Sequence, residues 1–117
     1  MPIDLLKGLY ILEGKKPVPA RSMDAWNQCM QSPERVVAQE DIGKIYISTV
    51  FLGLDHSFRF DDHESPVLFE SMVFGGKFNG YLDRYYTWSE AERGHSKIVD
   101  MVRKAQFKII NGGSNGD

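Results

Sequence analysis

The sequence predicts an α+β domain: a mainly antiparallel sheet of about four strands, one short helix and a long C-terminal helix, in the order β-α-β-β-β-α. Three observations carry this. Thr87 and Glu90 form a capping box, and behind it Trp88, Ala91, His95, Ile98, Val102 and Ala105 step by alternating threes and fours along one helix face. Residues 44–54 are rich in Ile, Val, Tyr, Phe and Thr, the side chains that suit a pleated sheet, and 67–74 reads as a second strong strand ending at Gly75-Gly76. The turn Glu40-Asp41-Ile42-Gly43 is so short that the strand before it, 35–40, has to pair antiparallel with 44–54.

The other elements follow in order. Leu9-Tyr10-Ile11-Leu12 is a short apolar run closed by Glu13-Gly14, and reads as a first strand. Pro17 and Pro19 exclude a helix and favour an extended loop. Ser22 is placed to cap a short helix carrying Met23, Trp26 and Met30 on one face, and Pro33 stops it. Residues 77–86 are irregular, with Gly80 among them. The final helix has Glu90 and Glu92 near its positive end and Arg103, Lys104 and Lys108 near its negative end. One domain over 1–110 and a disordered tail over 111–117 are expected.

Composition narrows the class of function. The chain has 117 residues, 42% hydrophobic and 26% charged, enough to bury one real core. A net charge of −2 argues against bulk binding of nucleic acid. The single cysteine, Cys29, rules out an intrachain disulfide framework and suits a reducing interior. No apolar run reaches the length of a membrane span or a signal-peptide core, so a soluble cytoplasmic protein without membrane association is expected.

Both strong strands are apolar on both faces. Ile45, Ile47 and Phe51 point one way, and Tyr46, Val50, Leu52 and Leu54 the other. Val67, Phe69 and Val73 alternate in the same manner with Leu68, Met72 and Phe74. Both sheet faces therefore call for cover, and two helices, one of them short, supply enough for one. Loops, a partner protein or a second copy in a homodimer would cover the other.

Chemistry-bearing residues fall in two places. The loop 55–64 reads Asp-His-Ser-Phe-Arg-Phe-Asp-Asp-His-Glu, a ligand set suited to a divalent metal but at no established spacing; its plain interpretation is a solvated acidic hairpin tip. His95 lies within the apolar stripe of the last helix and needs a partner for a ring nitrogen. Glu70, in mid-strand, needs one for its carboxylate. A Glu70–His95 pair is the expectation, with His56 as a third member and Asp55 beside it. Such a group is either a satisfied core pair or an imidazole acting as base or metal ligand. Gly94, in mid-helix, points to close packing against the sheet. Gly75-Gly76 reads as a strand stop, the alternative being a turn that offers its N–H groups to an anion.

Three segments carry a resemblance: Ser48-Thr49-Val50-Phe51-Leu52-Gly53-Leu54-Asp55-His56, Phe69-Glu70-Ser71-Met72-Val73-Phe74-Gly75-Gly76, and the run from Arg84 to His95. They are similar to segments of a family of small proteins encoded by phages and prophages, a family with no assigned activity. The resemblance implies a virus-derived accessory protein in the bacterial cytoplasm. Two functions fit these expectations. One is a protein-binding module that engages a host or phage protein, antagonism of a host defence system being one version. The other is a small metal-dependent hydrolase built on His56, Glu70 and His95, with Asp55 nearby.

Overall fold

A computed structural model describes residues 4–56 and 65–111. The fold is α+β. A hairpin of β1 (Tyr10–Glu13) and β2 (Lys16–Pro19) comes first, followed by helix α1 (Met23–Gln31) and a short 3-10 turn (Pro33–Arg35). Then come β3 (Val36–Ile42), β4 (Ile45–Phe51), β5 (Phe69–Phe74) and β6 (Leu82–Tyr85), and finally the 24-residue helix α2 (Trp88–Asn111). Strands β3-β4-β5-β6 form one antiparallel sheet in chain order. Loop residues 57–64 and the tail 112–117 lie outside the described residues, and so do the expectations placed on them.

The local signals act as the side chains dictate. The Ser22 hydroxyl accepts from the Ala25 N–H and starts α1. Thr87 and Glu90 cap α2 reciprocally: the Glu90 N–H donates to Thr87 Oγ1 at 3.1 Å, and the Thr87 N–H donates to Glu90 Oε1 at 3.1 Å. Gly43 takes φ +61°, which lets the β3–β4 turn close within two residues and pair Ile42 with Ile45.

Two strands, β2 and β6, go beyond the elements expected from the sequence. In β2 both prolines sit at positions of one parity, while the Ala20 N–H donates inward to the Leu9 carbonyl. By alternation Lys16 and Val18 also face β1. The N–H groups that Pro17 and Pro19 lack would have pointed outward, where the ladder needs none. Strand β6 is short and mostly exposed, so no hydrophobic alternation marks it.

The sheet has one closed face and one open face. Along β4, Ile45, Ile47, Thr49 and Phe51 are buried while the residues between them are only half-buried. Along β5, Phe69, Ser71 and Val73 are buried. These residues share the face crossed by α2, whose Ala91, His95, Ile98, Val99 and Val102 complete the core. The stripe expected of the last helix is the stripe that packs. The core has an aliphatic end, with Ile45, Ile47, Val73, Ile98 and Val102, and an aromatic end, with Phe51 and Phe69 against Ala91 and Trp88. Helix α1 and the β1–β2 hairpin close the aromatic end: Trp26 Nε1 donates to the Gly53 carbonyl at 2.9 Å, and the Tyr10 N–H donates to the same oxygen at 2.8 Å.

Candidate functional site

Between the two halves of the core lies a row of polar groups. Thr49 and Ser71 are direct cross-strand partners on the closed face. Their hydroxyl oxygens are 2.6 Å apart. Thr49 Oγ1 is 2.7 Å from Nδ1 of His95, on α2. From β6, the Tyr85 hydroxyl donates to Ser71 Oγ at 3.1 Å. Tyr85, Ser71, Thr49 and His95 thus form one chain of hydrogen bonds between sheet and helix.

Counting donors fixes its direction. If Ser71 donates to Thr49 and Thr49 to Nδ1, every hydroxyl proton in the chain is used, and only Nε2–H of His95 is left over. The reverse direction orphans both Nε2 and the Ser71 proton. The first arrangement makes His95 the Nε2–H tautomer, assigned by this count. In either arrangement Nε2 is buried with no hydrogen-bond partner among the described residues. Burial pushes the His95 pKa below its ordinary value, with Glu40 opposing the shift weakly through its charge. Protonation at Nδ1 would also break the chain, since Nδ1 would cease to accept. Burial pushes the Tyr85 phenol upward, so it stays a donor.

Chemically this is a buried hydroxyl–imidazole chain. Thr49 and Ser71 are fully buried, and His95 is 6% exposed. The hydrogen-bond chain fixes how α2 sits on the sheet. Gly94 shows how closely: a Cβ there would overlap the Tyr85 ring. The close packing expected of Gly94 is therefore against β6.

The expected Glu70–His95 pair does not form. Glu70 lies between Phe69 and Ser71 on β5, so its side chain points to the open face, while His95 lies on the closed one. Glu70 accepts from Arg84 Nε at 3.1 Å, across β5 and β6. Asp55 closes the base of its loop, Oδ1 accepting from the Val67 N–H at 2.9 Å. His56 is held there by its backbone, its N–H donating to the Val67 carbonyl. Among the described residues no three His, Cys, Asp or Glu side chains converge as a metal group, so His56, Glu70 and His95 are not brought together. At Gly75-Gly76 the Gly75 N–H is spent on Asn79 Oδ1 at 2.7 Å.

The open face is the larger feature. Tyr46, Ser48 and Val50 of β4 lie beside Glu70, Met72 and Phe74 of β5, with Leu82 and Arg84 of β6 on one side and Gln39 and Asp41 of β3 on the other. Tyr46 and Phe74 form a ring pair with centroids 5.9 Å apart. Phe74 is 45% exposed and Leu82 39%. Among the described residues no helix or hairpin crosses this face, because α1, α2 and the β1–β2 hairpin all pack on the closed side or at the aromatic end.

No protein-family model, curated protein or solved structure matches this chain. Among the described residues no helix is long and apolar enough to cross a membrane.

Proposed function

We propose that this chain is a protein-binding module whose docking surface is the open face of the β3–β6 sheet. The observation that carries the proposal is the row Tyr46, Phe74, Met72 and Leu82, a contiguous apolar and aromatic strip on a rigid sheet with no cover from the chain's own described elements. Aromatic residues and Met in the centre of a patch, with a charged pair at one end, are the composition of a protein interface. Here the Glu70–Arg84 pair supplies that polar margin. The phage-like segments support the same proposal, since they contribute Val50, Glu70, Met72, Phe74 and Arg84 to the face. They make the cytoplasm of a bacterial host the setting and a host or phage protein the partner, with a second copy of this chain as the simplest occupant.

The test is site-specific photocrosslinking in the cell. A benzophenone amino acid at position 74 should give one discrete adduct, of twice the chain mass for a homodimer or of a defined larger mass for another protein. The same group in place of Lys97, exposed on α2, should give none, and Tyr46→Lys should abolish the adduct at position 74. Equal adducts at both positions, or none at position 74, would overturn the proposal.

A further inference from the structure

Helix α2 outlasts the sheet it packs on. Val102 is 1% exposed, but Ile109, about two turns further along the same stripe, is 58% exposed. Phe107 and Ile110 beside it are 66% and 74% exposed. Two turns of the sheet meet this end of the helix. Ile109 and Gln106 share a small cleft with Lys77 and Phe78 of the β5–β6 connection and with Ile45 at the start of β4. The two turns also touch, since a Cβ at Gly75 would stand 3.0 Å from the Lys44 carbonyl oxygen. One end of the molecule thus gathers three exposed apolar side chains from α2 and the exposed lysines Lys44, Lys77, Lys104 and Lys108 from three elements. Among the described residues none of these lysines has an ion pair, and Lys77 lies instead over the Phe78 ring at 5.6 Å. Arg103 is spent on Glu40 at 3.0 Å. Asp41 and Asp100, near Lys44 and Lys104 along the chain, are exposed and bridge to neither.

We propose that this tip docks on an anionic lipid surface, with Phe107, Ile109 and Ile110 entering the headgroup boundary and the four lysines facing the lipid phosphates. Exposed apolar side chains ringed by cations are what an interfacial anchor presents. The choice of lysine favours lipid over other anionic partners. Lysine is a point charge on a flexible apolar stem, which suits a layer of phosphates of no fixed geometry. Protein interfaces are depleted in lysine and enriched in arginine. Nucleic acids are read by arginine forks and stacked rings, and the two isoleucines offer no ring. The expectation of no membrane association rests on the length of apolar runs, and a tip assembled from two turns and a helix end has no such run. The tip shares no side chain with the open sheet face, so its failure would leave the protein-binding proposal standing.

The experiment is flotation of the full chain with lipid vesicles at physiological ionic strength, where exposed charges more than about 8 Å apart are largely screened. Vesicles of equimolar phosphatidylglycerol and phosphatidylcholine should bind the chain at least roughly tenfold more tightly than phosphatidylcholine alone. Lys104→Gln combined with Lys108→Gln should weaken binding to the mixed vesicles about twenty-five-fold, at roughly fivefold per cation. Ile110→Ser should weaken it at least about threefold, through lost apolar burial. Lys97→Gln, about 10 Å back along the helix from Lys104, should change it less than about twofold. All the replaced side chains are exposed, so urea midpoints should stay at the wild-type value. Should a variant unfold, the lipid preference of the wild type still decides. Equal affinity for both vesicles, a Lys97→Gln loss as large as that of the double variant, or an unchanged affinity in Ile110→Ser would overturn the proposal. So would a tighter complex with duplex DNA than with the mixed vesicles, which would assign the lysines to nucleic acid.

Discussion

Gly94→Ala should destabilise the protein, although in an exposed helix interior it would stabilise it. The propensity gain for Gly→Ala within a helix is up to about 1 kcal/mol. Against it stands the Tyr85 ring, whose outer atoms occupy the space that the new Cβ requires. The ring is packed against the aromatic end of the core and held by its bond to Ser71. Moving it gives up that bond, about 0.5–1.5 kcal/mol. Fitting a methyl group into an already filled contact adds about 1–3 kcal/mol. The balance is a net loss of roughly 1–3 kcal/mol, read as a lower midpoint in urea unfolding with an unchanged slope. The double-mutant cycle with Tyr85→Val isolates the cause. In the Tyr85→Val background the obstructing ring is absent, so Gly94→Ala should become neutral or stabilising, and the coupling between the two positions should exceed ~1.5 kcal/mol. If Gly94→Ala raises the midpoint in the native background, the proposed close contact between β6 and α2 is wrong.

Thr49→Val keeps the shape but strands both His95 Nδ1 and the Ser71 proton, and should cost about 1–3 kcal/mol in the same urea assay. Glu70→Gln should cost less than ~1 kcal/mol, since its partner Arg84 is well exposed; a loss of several kcal/mol in unfolding experiments would mean that Glu70 has a buried partner after all. The His95 pKa is held below its ordinary value, so on lowering the pH the unfolded chain takes up the proton first. Its contribution is therefore fully present above the unfolded value of about 6.5 and is lost as the pH falls from there toward the folded pKa. Urea midpoints measured from pH 8 to 5 should fall in that window, and His95→Gln, which does not titrate, should flatten the fall.

Most of the fold is legible in the sequence because its signals are local. The capping box at Thr87 and Glu90 needs only neighbouring residues to act, and it forms as expected. The stripe from Trp88 to Ala105 is set by the helical period alone, and it packs as expected. Strands β2 and β6 escape because their stability is not local. Strand β2 contains two prolines that only the register of a hairpin makes harmless, and β6 is held mainly by pairing with β5 and by one aromatic ring.

The site is less legible because alternation assigns residues to faces without saying which face the helix takes. Both strong strands are apolar on each side, so Glu70 beneath α2 and Ser71 beneath α2 are equally consistent with the pattern of 67–74. The small hydroxyl residues could have decided it. Thr49 and Ser71 sit in the otherwise apolar rows Ile45-Ile47-Thr49-Phe51 and Phe69-Ser71-Val73. A buried hydroxyl needs a partner, and a buried histidine in the facing stripe supplies one without either group carrying charge. A buried ionised carboxylate in the same place would be far costlier. Glu70 instead lies on the opposite face, ion-paired with Arg84. Among the described residues the same choice leaves Phe74 and Leu82 exposed and Tyr46 and Met72 half-buried, because the helix that takes the hydroxyl-bearing face cannot also shield the other. The neutral buried row and the open apolar strip are therefore two consequences of one placement of α2. A substitution that loosens the row, such as Thr49→Val, should weaken the fold without removing the apolar residues through which the open face would bind.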